Sequence, residues 1–147
     1  MRVRTITEDR QKVHVVVLDK GEDAVASILK FARDSDVRSA QVSAIGAFSE
    51  IVLGFFDPGR KRFVEIPIRE QVEVLTLTGN LAEQDGQPRL HAHVAVGKRD
   101  GSAHGGHLLR GIVFPTLEAV VIEVAAELRR KSDPETGLAL IEEIVRT

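Results

Sequence analysis

The sequence predicts an α+β domain, a β-rich chain with one main helix packed on a sheet. Three observations point there. Short runs of β-branched residues recur between turn signals along the chain. A helical spacing of apolar residues is clear at residues 24–33 (AVASILKFAR). The chain has 147 residues, 43% of them hydrophobic, which suits one ordinary domain over residues 1–147 that buries its own core.

Residues 2–7 alternate charged and small or apolar positions and read as a short edge strand. QKVHVVVL at 11–18 is a β-branched strand, and His14 within it reads as a core or rim residue. In the helix at 24–33, Val25, Ile28, Leu29 and Ala32 fall on one face, with Glu22 and Asp23 at the end where the helix dipole favours negative charge. Residues 39–45 and 50–56 read as two strands about Gly46-Ala47. Asp57-Pro58-Gly59-Arg60 is a turn, and 62–68 is a third strand placed near an edge by Pro67. In 71–81 (QVEVLTLTGNL), alternation puts Val72, Val74 and Thr76 on one face and Glu73, Leu75 and Leu77 on the other. Glu73 beside two leucines is then either paired or lining a pocket. Turns at Asp85-Gly86 and Arg99-Asp100-Gly101 bracket a strand at 89–96. Strands follow at 104–114 and from 116 to about 124. Residues 125–131 could extend as strand or turn helical, and 138–145 could close the chain as a strand or a short helix.

Composition narrows the function. The net charge is -2, so the folded domain lacks the basic surplus usual for strong duplex binding. The Arg60-Lys61-Arg62 cluster is the densest basic patch and the candidate nucleic-acid contact. There is no tryptophan or tyrosine to stack bases, and no cysteine for disulfides or thiolate ligands. The opening MRVRTITEDR is polar, and no window has the roughly 18 apolar residues of a membrane helix. No membrane association and a cytoplasmic location are expected. Nucleotide-binding glycine loops and a GxSxG elbow are absent.

Four of the five histidines fall within residues 79–109, GNLAEQDGQPRLHAHVAVGKRDGSAHGGHLL. In RLHAHVAV, alternation places His91 and His93 on one face, about 6.5–7 Å apart at Cα. If Asp100-Gly101 centres a hairpin, His93 lies opposite Leu108, and His107 is within one residue of that position. A bulge at Gly105-Gly106 would bring His107 onto the same face. Three imidazoles of this kind suit zinc, and also iron, nickel or copper, with a fourth position open. Glu73 and Glu118 are candidate fourth ligands, hydrogen-bond partners that orient the ligating imidazoles, or catalytic bases. His104, nearer the turn, falls outside the set.

The same residues resemble a known family. The order GN, LHAHV, DG, GGHL and then TLEAVVIEV is similar to prokaryotic members of the PPC (plant and prokaryote conserved) domain. Upstream, VHVVVLDKGEDAVASILKFA, SAQVSAIGAFSEIVLGFFD and VEVLTLTGNLA fit as well, so the resemblance covers nearly the whole chain. In the family pattern GN is a turn. The resemblance implies a largely antiparallel sheet with one main helix packed on it, a homotrimer, and a divalent metal, zinc first, at His91, His93 and His107. Plant relatives carry the domain beside an AT-hook that binds DNA, and this chain has no Arg-Gly-Arg-Pro core. Three readings follow. The first is a cytosolic trimer whose metal site holds a small anionic ligand or supports metal-assisted chemistry. The second is a DNA-associated regulator, and the third an oligomerisation module without chemistry.

Overall fold

The computed structural model of the protein describes residues 1–8 and 11–146. The elements in order are β1 (Arg2–Glu8), β2 (Gln11–Asp19), α1 (Ala24–Asp34), β3 (Ala40–Asp57), β4 (Arg62–Ile68), β5 (Val72–Gln84), β6 (Gln87–Gly97), β7 (Ala103–Glu123), β8 (Ala126–Ser132) and β9 (Ala139–Arg146). Their pairings are antiparallel, apart from one parallel contact of Glu83 in β5 with Arg129 in β8.

Four strands close on themselves. β3 pairs with β5, β5 with β6, β6 with the start of β7, and β7 returns to β3. The inward positions of this circuit form the core, among them Val42, Leu77, Leu81, Val94, Val96, Leu117 and Val121. The helix α1 covers that core with Ile28, Phe31 and Ala32. Phe31, the largest of these, lies outside the face that sequence spacing selects, while Val25 and Leu29 pack at its margin. Asp23 caps α1 by accepting a hydrogen bond from the Ala26 N–H at 2.8 Å. His14 is a core residue. Its two ring nitrogens lie 2.8 Å from Thr5 Oγ1 and 2.8 Å from Glu123 Oε1, and Phe31 meets it edge-on.

Several elements differ from expectation. The two strands about Gly46 are one strand, β3, which kinks instead of ending. Its register with β5 shifts between Ala44 and Gly46, where φ is 147°, and a Cβ there would sit 2.3 Å from the Thr116 carbonyl. The strands on either side of Pro115 are likewise one, β7. The Gly79-Asn80 pair is not a turn but the middle of β5. Residues 125–131 and 138–145, left open between helix and strand, form the β8–β9 hairpin. In β5 the register shifts again between Val74 and Thr76, so Val74 and Leu77 both face inward and Glu73 is exposed. The predicted sharing of a face by Glu73 and Leu77 is therefore overturned by a bulge.

Candidate metal centre

The candidate site is built on the outer face of the β5–β6–β7 sheet. β6 alternates as its sequence requires. Ala92, Val94 and Val96 are buried, which turns His91 and His93 outward. β7 supplies the third imidazole directly, because His93 and His107 are cross-strand partners. The expected bulge at Gly105-Gly106 is absent, since the pairing runs unbroken from His93–His107 to Gly97–Ala103. The hairpin loop is centred on Asp100, half a residue earlier than an Asp100-Gly101 centre, which moves the partner of His93 from Leu108 to His107, and the Lys98 N–H closes it on the Ser102 carbonyl at 2.9 Å. Gly106 serves another purpose. A Cβ on Gly106 would meet the Gly54 carbonyl at 2.9 Å, so glycine lets β7 lie between β6 and β3. Gly79 does the same between β5 and β6, where a Cβ would fall 2.3 Å from the His91 carbonyl.

One ring nitrogen from each of His91, His93 and His107 lies within 4.8 Å of the others. The Nε2 atoms of His91 and His93 are 3.4 Å apart, long for a hydrogen bond. It is close to the separation of about 3.4 Å that two nitrogens have when each is ~2.0–2.1 Å from one tetrahedral ion. The donor set therefore fits a divalent metal, with small side-chain rotations needed to bring in His107. Phe63 of β4 stacks on the His107 ring at 4.4 Å between centroids and walls that side.

Two of the imidazoles, His91 and His107, are biased toward the neutral form in which a ring nitrogen can ligate. Burial, the neighbouring His91 and His93, and the Arg130 guanidinium lower the pKa of His107 from 6.5 to about 4. Burial, Arg130 and His93 also lower that of His91. Beside the histidines runs a groove of about 430 Å³ lined by Thr78, Asn80, Val124 and Leu128, among others.

The other candidates lie elsewhere. Glu73 pairs with Gly97, roughly 13 Å along β6 from His93. Glu118 is exposed on β7 opposite Val17 and Ile45. Among the described residues, neither carboxylate joins the cluster of His91, His93 and His107. His104 pairs with Val96, an odd number of residues from His107, and so belongs to the other face. Arg60 and Lys61 occupy the β3–β4 turn, and Arg62 opens β4 opposite Asp57. Arg60 Nε lies 3.7 Å from Asp57, and Lys61 Nζ donates to the Pro134 carbonyl at 3.3 Å. Sequence reasoning passes over Phe63, Asn80 and Arg130. Arg130 sits in the basic run ELRRKS, where no local signal marks it as buried.

Relatives with known structures share this architecture. The metal-containing protein from Archaeoglobus fulgidus is 34% identical, with 97% of this chain and 99% of that chain covered and a TM-score of 0.84. A candidate DNA-binding protein from Bacteroides thetaiotaomicron is 29% identical over 95% of this chain and 96% of that one, with a TM-score of 0.85. The bifunctional protein GlmU from Synechococcus is 32% identical over 129 residues, 86% of this chain, but the chain spans only 20% of that protein's length. The sequence pattern of the Plants and Prokaryotes Conserved (PCC) domain matches residues 6–125, and the chain belongs to that family.

Proposed function

We propose that this chain is a cytosolic, single-domain metalloprotein whose His91, His93 and His107 hold a divalent metal, zinc first, for a small ligand or for metal-assisted chemistry. The observation that carries this reading is the convergence of three ligand nitrogens within 4.8 Å, beside an open groove that His91 and His93 line. A metal bound there would act as a Lewis acid toward an oxygen-bearing ligand at its free position. The chain's own contribution is a frame of three imidazoles on adjacent strands, two of which, His91 and His107, are held toward the neutral form by burial and by neighbouring positive charge. The relative from Archaeoglobus fulgidus, described as metal-containing, adds support. Glu73 and Glu118 are too remote within one chain to serve as its base, and a role for either would need a second copy.

A homotrimer is part of the proposal. Val15 and Val120 pair on the outer sheet face, and Ile45 on that face is 60% exposed. The row continues through Ser43 and Thr78 to His93, so an apolar patch leads toward the site. Apolar surface of this kind is favourably covered by another copy.

The test is metal analysis of protein purified without chelators, beside the His91→Ala/His93→Ala variant. Stoichiometric divalent metal in the wild type and its loss in the variant are expected. No metal in either preparation would defeat the reading.

The description of one relative as a candidate DNA-binding protein favours a second reading, contact with DNA through Arg60, Lys61 and Arg62. Asp57 partly offsets that cluster and Lys61 is tied to Pro134, which leaves it a weak phosphate-binding surface. A salt-dependent shift of duplex DNA that is lost on replacing the three residues would support it. No shift at low salt would remove it.

A further inference from the structure

Beside the three histidines lies a buried cation with no counter-charge among the described residues. Arg130 of β8 is 9% exposed. Its Nη1 donates to the Ala139 carbonyl at 2.7 Å, and its Nη2 donates to Asn80 Oδ1. Both partners are neutral. Among the described residues Arg130 forms no ion pair, and its Nε has no hydrogen-bond partner. Buried charges are normally paired, because desolvation makes an isolated one costly. Asn80, which holds this guanidinium, is the cross-strand partner of His91 and lines the groove beside it. Arg130 is thus anchored one side chain away from the ligand set.

On the reading that the histidines hold a divalent metal, we propose that the ligand taken beside it is a small carboxylate, and that Arg130 is the positioning residue whose charge selects it. The ion and the guanidinium would bring three positive charges to this part of the chain. Among the described residues no carboxylate joins the histidine cluster to offset them. An anion from solution is therefore the missing counter-charge. The groove suits a carboxylate with a short apolar tail. Gln41, Thr78 and Asn80 offer hydrogen bonds, and Val124 and Leu128 offer an apolar wall.

The experiment uses Co2+ in place of the native ion and follows its visible absorption while acetate, or its neutral isostere acetamide, is added. Acetate is expected to change the spectrum saturably and acetamide to leave it unchanged. Arg130→Gln should still load Co2+ but bind acetate about tenfold more weakly, and Arg130→Lys should recover part of that loss. Circular dichroism and melting check that each variant folds. If Arg130→Gln does not fold, the acetate–acetamide contrast in the wild type and the Arg130→Lys affinity decide. A spectrum indifferent to acetate in Co2+-loaded protein overturns the carboxylate inference alone, as does equal binding of acetate and acetamide. Equal acetate affinity in wild type and a folded Arg130→Gln overturns the role of Arg130. Failure of the wild type to load Co2+ overturns the metal reading and this inference with it.

Discussion

At the scale of single residues, the five histidines divide by environment. His14 is enclosed by Thr5, Glu123 and Phe31, whereas His91, His93 and His107 gather on an outer sheet face. Replacing His107 with alanine is expected to abolish metal binding without unfolding the chain. Replacing His104 should leave metal content unchanged, and a metal assay on the two variants separates the roles. The pKa of His107 adds a pH dependence. Its native value is about 4 against an ordinary 6.5, so between those values the unfolded chain binds a proton that the folded chain refuses. Its contribution to stability is complete above about 6.5 and is lost as pH falls toward 4. Melting temperatures of metal-free protein should drop through that window, and His107→Gln should drop less steeply. Matching slopes would show that His107 is not held neutral. Asp23 makes a simpler case. Loss of its cap in Asp23→Ala should cost about 1 kcal/mol in denaturant unfolding.

Among the elements, close strand packing places the site. Gly79→Ala would push a methyl group into the His91 carbonyl and the Ala92 Cα, 2.3 and 2.7 Å away. The expected cost is about 1–3 kcal/mol, the usual range for overpacking. Metal affinity should fall as well, because the displaced strand carries His91 and His93. Unchanged metal affinity in a destabilised variant would separate the site from this contact. The element scale also explains what the sequence made legible. Period-two burial in β6 is undisturbed, so the shared face of His91 and His93 could be read directly. The hairpin from β6 to β7 was legible to within one residue, because Asp100-Gly101 marks the loop without fixing its length. β5 misled because the shift between Val74 and Thr76 moves Leu77 inward, and no residue type announces that bulge. Gly46 looked like a break because a glycine with positive φ can end a strand or bend it. Which of these happens depends on the neighbour, here the Thr116 carbonyl.

For the molecule as a whole, the α+β class and the family were legible, whereas Arg130 and Phe63 were not. Their importance arises from strands that are distant in sequence. β8 and β4 flank the histidines through their pairing with β5 and β3, strands that alternation in β6 alone does not point to. The proposed trimer belongs to this scale too. Placing charge on the exposed apolar face, as in Ile45→Asp with Val120→Asp, is expected to convert a trimer into monomers, as read by light scattering after size exclusion. A wild type that runs as a monomer would contradict the assembly. The central claim, that three imidazoles converge on one metal, is tested most directly by anomalous diffraction from crystals grown without chelator. A peak at the absorption edge of a divalent metal, within bonding distance of nitrogens from His91, His93 and His107, is the predicted result. Ordered imidazoles with no peak between them, in protein never exposed to chelator, would contradict it.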